Sequence, residues 1–394
     1  MLNKCPICNS KDIMDIFIKD NLPRYCMERH LTRESALNAE KESVDFQFCN
    51  NCLFLFNKLF DISIMDYKVD FECSRSKSDK FSNYLSCICN ELNEIFSIKG
   101  KIVAEVGCGD GQFLKILRDK YVFQGWGFEP SLSKSTNNIF HSDLNFIQEY
   151  YNINYLKKSP DLIILRHILE HQGLPNEFIR NIIKNNNGIL PSNIYIEVPS
   201  LEWLLDNDQI YAFSYEHCSY FSMNSLKLVL KNHGYETKKL SYTFENEYLQ
   251  YFGIKNDLYN KKNSDSSYKI YINNDYKKQI IDKIISFKEK IPIILERLRS
   301  YFSNEETVLW GAAGKGSILL NILDMYYKQF PFIVDINPKK QNTFLAVTGQ
   351  QIISPEYLKY IQPKYVLITN PLYLDEISMQ IKNMGIKSEI IIIK

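Results

Sequence analysis

The sequence is short of charge bias, of long apolar runs and of repeats, and each absence excludes something. Lys and Arg total 47 against 46 Asp and Glu, a formal net charge of +1. That balance argues against a protein that grips nucleic acid over a broad basic surface. No stretch approaches the roughly 18–20 apolar residues that a membrane-spanning helix needs. The opening residues, Met1-Leu2-Asn3-Lys4-Cys5-Pro6, lack the apolar centre of a secretion signal, so a cytoplasmic location is expected. No internal repeat of solenoid length is present. Asn, Lys and Ile are abundant throughout, and apart from Asn185-Asn186-Asn187 there is no homopolymer of note. What is present is a chain of 394 residues, 45% hydrophobic. That is enough for a sizeable core and, at roughly 100–200 residues per domain, for two or three domains.

The ten cysteines are unevenly placed. Cys5-Pro-Ile-Cys8 and Cys49-Asn-Asn-Cys52 form two C-x-x-C pairs, whereas Cys26, Cys73, Cys87, Cys89, Cys108 and Cys218 lack that spacing. Each C-x-x-C knuckle turns two thiolates toward one point, and two knuckles supply the four ligands of a tetrahedral zinc site. Such a site is structural, because four thiolates leave no position for water or substrate. A segment of about 60 residues also has too small a core to be stable easily without such a staple. The competing reading is a set of redox or incidental cysteines.

The clearest chemical signal is Lys101-Ile-Val-Ala-Glu-Val-Gly-Cys-Gly-Asp-Gly-Gln-Phe-Leu114. Ile102 to Val106 fits a buried parallel strand. Gly107, Gly109 and Gly111 then form a tight turn into an amphipathic helix, where glycine lets a ligand approach the backbone closely. A second strand near Gly125-Trp126-Gly127-Phe128 ends in Glu129, 22 positions after Gly107, which suits an acid holding ribose hydroxyls. Gln112 occupies the last glycine position of the dinucleotide fingerprint G-x-G-x-x-G. Glu105, inside the strand end, can accept a hydrogen bond from a cationic amino-acid ligand and would repel a pyrophosphate. These two features favour S-adenosylmethionine over a nicotinamide cofactor. Glu105, Gly107, Cys108, Gly109, Gly111, Glu129 and Pro130 are the expected cofactor residues.

His167-Ile-Leu-Glu170-His171 matches the H-x-x-E-H pattern of inverted zinc proteases. That chemistry needs both histidines on one helix face, yet the motif directly follows the strand-like run Asp161-Leu-Ile-Ile-Leu165. It falls where a strand of the sheet should end, on the active face of an open α/β sheet. His167, on the cofactor side, and His171 are therefore expected to line the site without metal. Asn193-Ile-Tyr-Ile-Glu-Val-Pro199 is the next strand. After it, Tyr215-Glu216-His217-Cys218-Ser219-Tyr220-Phe221-Ser222 packs an acid and a histidine among aromatics. Histidine titrates near neutral pH, so His217 suits the movement of a substrate proton. Glu216 is placed to orient it, and Tyr215 to donate to a developing oxyanion. Tyr220 and Phe221 read more simply as core residues at a helix entrance, with Ser222 in its cap region.

Residues 266–300 read as a lysine-rich helical connector, with Ile280, Ile281, Ile284, Ile285 and Phe287 at helical spacing; a charged helix of this kind is usually a solvated brace. Val308-Leu-Trp-Gly-Ala-Ala-Gly-Lys-Gly-Ser317 opens a second strand–turn–helix unit, without the spacing of a nucleoside triphosphatase loop. Phe332-Ile-Val-Asp335 and Lys364-Tyr-Val-Leu-Ile-Thr-Asn370 continue a small Rossmann-like unit. Gly311, Gly314, Lys315 and Gly316 are placed to hold a phosphate through backbone amides and one cation. The alternative is a packing domain with vestigial glycines.

E-V-G-C-G-D-G and G-F-E-P resemble the first two motifs of class I methyltransferases. Together with the cysteine knuckles, Tyr67-Lys-Val-Asp-Phe-Glu-Cys-Ser-Arg-Ser-Lys-Ser78, H-I-L-E-H, E-V-P and Y-E-H-C-S-Y-F-S, they give a combination that resembles the three-domain C-methyltransferases of nucleotide-linked deoxysugars over nearly the whole chain. The resemblance implies a class I methyltransferase α/β core between a small N-terminal zinc module and a C-terminal Rossmann-like α/β domain. Residues 1–60 are expected to form the zinc module, 61–265 the core, 266–300 the connector and 301–394 the last domain. It also implies that His217 removes a proton beside a keto group, with Glu216 and His171 as neighbours. Tyr67 falls at a substrate-binding position, and the C-terminal domain is implied to help bind the nucleotide. The chain departs from the pattern at Ser214, where the sugar enzymes carry tyrosine and this chain has it one position later, at Tyr215. Phe71 likewise replaces the second of two expected tyrosines. The expected reaction is thus S-adenosylmethionine-dependent C-methylation of a small nucleotide-sugar. O-methylation of a sugar is the alternative within the fold, and a zinc-containing RNA-binding methyltransferase or adaptor the alternative outside it.

Overall fold

The computed structural model describes residues 2–28, 30–66, 79–132, 142–156, 158–184, 191–256, 273–303, 306–312 and 314–393. Tyr67, Phe71 and the first part of the expected connector lie outside these residues. No helix among the described residues is long and apolar enough to cross a membrane.

Three strands open the chain: β1 (Ile13–Pro23), β2 (Lys41–Cys49) and β3 (Phe54–Asn57). The core sheet follows with β4 (Ile102–Val106), β5 (Gln124–Phe128), β6 (Leu144–Ile147), β7 (Leu162–Arg166) and β8 (Asn193–Pro199). β4, apolar but for Glu105, and the Leu162–Leu165 run of β7 are buried, as strands should be when helices cover both faces of a parallel sheet. β9 (Ser219–Phe221) does not join this sheet. It pairs antiparallel with β3, Phe54 opposite Phe221 and Phe56 opposite Ser219, and so completes the N-terminal sheet. β10 (Tyr235–Thr243) and β11 (Tyr248–Lys255) return to the core sheet, giving the order β10-β11-β8-β7-β4-β5-β6. β4 to β8 run parallel, and β11 lies antiparallel to β8 and β10. The chain leaves β4 first to one side and then to the other, so a crevice opens at the carboxyl ends of β4 and β7.

The last unit is a parallel sheet of β12 (Thr307–Trp310), β13 (Phe332–Val334), β14 (Gln351–Ile353), β15 (Tyr365–Ile368) and β16 (Glu389–Ile392), in the order β14-β13-β12-β15-β16. The same reversal about its first strand makes it Rossmann-like, as expected.

The connector differs from the expected solvated brace. Helix Asn274–Ser300 buries Ile280, Ile284, Phe287, Ile291, Ile294 and Leu298. Their three- and four-residue steps form one continuous stripe. The stripe packs in a single apolar cluster with Phe46 and Phe48 of the N-terminal sheet, Phe213, and Leu309 and Leu319 of the last unit. The lysines flank this stripe, Lys278, Lys288 and Lys290 exposed and Lys283 paired with Asp206 at 2.6 Å, which is why composition alone suggested solvent.

Candidate active site

The cofactor half of the crevice is built on the turn after β4. Gly107, Gly109 and Gly111 all take positive φ, at 70°, 55° and 75°, which side chains tolerate poorly. A Cβ at Gly107 would lie 2.0 Å from the Ile168 side chain. The β4 turn and the turn after β7 are therefore in direct contact. Glu129, ending β5, accepts a hydrogen bond from Gly109 N–H at 3.3 Å and from the Ser131 hydroxyl at 2.7 Å. Pro130 lines a cavity of about 790 Å³ with Gln148, Glu149, Tyr150, Asn181 and Lys184. Cys108 is buried, its Sγ 2.7 Å from where a Gly127 Cβ would stand.

Glu105 is buried, and its Oε2 has no hydrogen-bond partner among the described residues. Burial raises its carboxyl to about 8, with Arg166 opposing the shift. An orphaned buried acid at the mouth of a glycine turn fits the ammonium of an amino-acid ligand, because such a group is costly unless a partner reaches it. The residues present thus fit S-adenosylmethionine: Glu105 for the amino group, the glycine turn for close approach, and Glu129 for the ribose.

The second half is assembled from three segments. His167, at the end of β7, has φ of 54°, an uncommon conformation outside glycine. That twist aims its ring between two buried carboxylates, with Nδ1 3.3 Å from Glu170 Oε1 and Nε2 2.8 Å from Glu197 Oε1. Burial works against its charged form, yet Glu170 and Glu197 hold its pKa above the ordinary value. Glu197 also accepts from Tyr84 at 2.6 Å, Tyr195 at 3.0 Å and Arg166 at 3.1 Å. Burial disfavours that carboxylate, but Arg166 and His167 keep its pKa well below the usual range. Arg166 also lies over the Phe113 ring at 4.3 Å. His167 is thus the centre of a buried ionic network. The network's other members, Tyr84, Arg166, Glu170 and Glu197, were not singled out from sequence. Only the E-V-P and H-x-x-E-H strings touched them.

Leu169–His171 forms a single 3-10 turn directly after the strand, so the two histidines of H-x-x-E-H do not share a helix face, as the protease pattern requires. His171 meets His217 instead, with ring centroids 4.8 Å apart and planes at 87°. Hydrogen bonds bring the segments together. Cys218 Sγ contacts the Glu170 carbonyl at 3.6 Å, and Ser219 Oγ donates to the Gln172 carbonyl at 2.7 Å. His217 N–H donates to Ser214 Oγ at 3.1 Å. Glu216 is buried and accepts from Cys26 N–H at 2.8 Å, and burial raises its pKa. Tyr215, expected to donate to an oxyanion, has its ring buried against Phe60 at 5.3 Å, and its hydroxyl accepts from Asp61 N–H at 3.0 Å. It anchors the 60–66 segment that leads to Tyr67. Ser222 caps helix Met223–Asn232 through a reciprocal box with Ser225, as its residue type suggests.

The four knuckle cysteines converge. Cys5 and Cys52 sulfurs lie 3.5 Å apart, as do Cys8 and Cys49, and all four lie within 4.8 Å of one another. This is far beyond the roughly 2.05 Å of a disulfide. It is close to the roughly 3.8 Å edge of a tetrahedron with Zn–S bonds of about 2.3 Å. The cluster is tied to the core, because Asn176 donates to the Ile7 carbonyl at 2.8 Å and Asn224 to the Cys52 carbonyl at 3.0 Å.

The C-terminal turn is built differently from expectation. Ala312 N–H donates to Asp335 Oδ2 at 3.2 Å, and Gly314 N–H to the Met27 sulfur at 3.1 Å. Lys315, expected to supply a cation for phosphate, lies 2.8 Å from Glu247 Oε1 and 4.4 Å over the Trp203 ring. Its charge is committed to the methyltransferase core. Gly311 has open space where a Cβ would stand.

The fold is that of a class I methyltransferase. Residues 83–240 match the family model described as a methyltransferase domain. Residues 255–393 match the one described as a C-methyltransferase C-terminal domain. The chain is an S-adenosylmethionine-dependent methyltransferase. No curated protein matches it. Among solved structures it is similar to magnesium protoporphyrin IX methyltransferase of Synechocystis with bound S-adenosylhomocysteine, at 11% identity, 45% of this chain, 84% of that one and a TM-score of 0.36. It is also similar to Burkholderia thailandensis 1,6-didemethyltoxoflavin-N1-methyltransferase, at 11% identity, 45% and 82% coverage and a TM-score of 0.35. A third is a methyltransferase of Aquifex aeolicus, at 11% identity, 45% and 100% coverage and a TM-score of 0.33.

Proposed function

We propose that this methyltransferase acts on carbon, at the position beside the keto group of a nucleotide-linked deoxysugar, with His217 as the base. The observation that carries the reading is the meeting of His171 and His217 beside a turn whose Ile168 rests on Gly107, in a chain whose last third matches a C-methyltransferase domain. S-adenosylmethionine, when bound, supplies an electrophilic methyl group. The chain's own task is alignment and proton control. His217 takes the proton from the carbon next to the ketone, leaving an enolate. Glu170, whose charge both histidines feel, favours the imidazolium that forms. Glu216 fixes the loop through Cys26. The C-terminal domain meets the nucleotide by shape, through the open space beside Gly311 where no atom stands within 4 Å of a Cβ position, and Tyr67 the sugar.

We assign Zn²⁺ to Cys5, Cys8, Cys49 and Cys52 as a structural ion, on the strength of the sulfur spacing. One equivalent of zinc retained through dialysis, and lost in Cys49→Ser, is the expected result.

The direct test is turnover with a panel of nucleotide-linked keto-sugars. His217→Ala is expected to lower it by at least about a hundredfold; full turnover in this variant would end the base assignment. Deuterium exchange from solvent at the carbon beside the ketone, without methyl donor, is expected of a carbon enzyme. Its absence alongside methylated product would favour a sugar oxygen as acceptor. Failure to bind S-adenosylmethionine in calorimetry would overturn the cofactor assignments to Glu105 and Glu129.

A further inference from the structure

Glu170, His171 and His217 form a second group of metal-ligating side chains, apart from the four cysteines: one donor atom from each lies within 4.8 Å of the others. The carboxylate is 1% exposed. Its Oε1 faces His167 at 3.3 Å, while Oε2 is buried with no hydrogen-bond partner among the described residues. A buried carboxylate oxygen in this condition is expensive unless something positive meets it. The imidazoles of His171 and His217 each bring a ring nitrogen within 4.8 Å of this carboxylate. We propose that Glu170, His171 and His217 bind a divalent first-row transition-metal cation, one donor from each residue.

Two imidazoles and a carboxylate suit Mn²⁺ to Zn²⁺, and leave positions open for oxygens of a substrate. Metal bonds of about 2.0–2.2 Å place donors roughly 3–3.5 Å apart. The donor atoms, now within 4.8 Å of one another, draw together by at most about 1–2 Å on binding. The supports are already present. His167 holds Glu170 from behind, in the way outer partners orient metal ligands. His171 N–H bonds the Ile168 carbonyl at 3.1 Å and His217 N–H bonds Ser214 Oγ at 3.1 Å, which fixes both backbones. The buried Glu216 beside His171 adds a second negative charge near the cation. The site differs from the H-x-x-E-H protease pattern: it omits His167 and takes its second histidine from 46 positions downstream of His171 in the chain.

The inference shares His217 with the base proposed above but does not depend on it, and the two are separable. Protein with its cysteine site loaded with zinc and freed of loosely held ions is titrated with CoCl₂, followed by calorimetry and visible absorption. One equivalent is expected to bind at sub-millimolar concentration, without the thiolate-to-cobalt band that the cysteine site would give. Glu170→Gln and His171→Asn are each expected to weaken binding by at least about tenfold; the second variant leaves the His167 network intact. No saturable binding, or binding within about twofold of the parent in both variants, would overturn the site. Turnover in the same titration reports on the base. Inhibition by cobalt agrees with both readings, since the cation takes the lone pair that His217 needs. Activation would remove the base assignment and leave the metal site standing.

Discussion

The molecule contains two glycine turns of nearly the same design, one after β4 and one after β12. In both, an acid at the end of the neighbouring strand reaches a turn amide: Glu129 to Gly109 at 3.3 Å, and Asp335 to Ala312 at 3.2 Å. They differ in what remains unfilled. The first keeps a buried carboxylate oxygen of Glu105 without a partner. The second ends its strand in Trp310, turns Lys315 onto Glu247, and gives the Gly314 N–H to Met27. A Cβ at Gly316 would meet the Gly311 carbonyl at 1.9 Å, so that glycine serves helix packing. A glycine turn is thus permissive. The unmatched donors and acceptors around it decide whether it is a site.

Substitutions at the two turns can break or sharpen this contrast. Gly107→Ala should have the largest effect, because it meets both a positive φ and the Ile168 side chain. Loss of measurable cofactor binding by calorimetry is expected. Glu105→Gln should weaken S-adenosylmethionine binding by about tenfold or more, the scale of a charge-assisted hydrogen bond. The pH dependence supplies the sign. With the carboxyl raised to about 8, the empty site is protonated at pH 6, and binding an ammonium must expel that proton. Affinity should therefore climb from pH 6 to 7.5, by at most about tenfold per unit, and the climb should vanish in the glutamine variant. Lys315→Met should leave cofactor affinity unchanged while lowering the unfolding free energy by about 1–3 kcal/mol, the cost of leaving the buried Glu247 carboxylate without its cation. Gly314→Ala should cost about 1–3 kcal/mol by thermal melting and leave cofactor binding unchanged, since its φ of 41° with ψ of −100° lies outside the region open to side chains although no atom stands within 4 Å.

Much of the first turn was legible because its information is local. A buried run, three glycines and an acid 22 positions on are all set by neighbours in sequence, and the strands at 102–106, 124–128, 162–166 and 193–199 follow the same apolar periodicity. The cysteine cluster was legible because two short knuckles carry their own geometry. The rest depends on contacts across the chain. Nothing near Lys315 indicates Glu247, and nothing near Tyr84 indicates Glu197, 113 positions away. The buried stripe of helix Asn274–Ser300 was visible as spacing, but the lysines between its isoleucines masked what it faced. β9, only three residues long, is too short to show a period of two.

That short strand has a consequence for inheritance. Ser219–Phe221 follows His217 by one residue and closes the sheet that the first 57 residues begin. The cysteine-bearing segment and the loop carrying the proposed base are therefore a single architectural unit written in two distant stretches of sequence. A chimera exchanging residues 1–60 with those of a relative would set a foreign strand against Ser219–Phe221, so the two stretches are expected to change together or not at all.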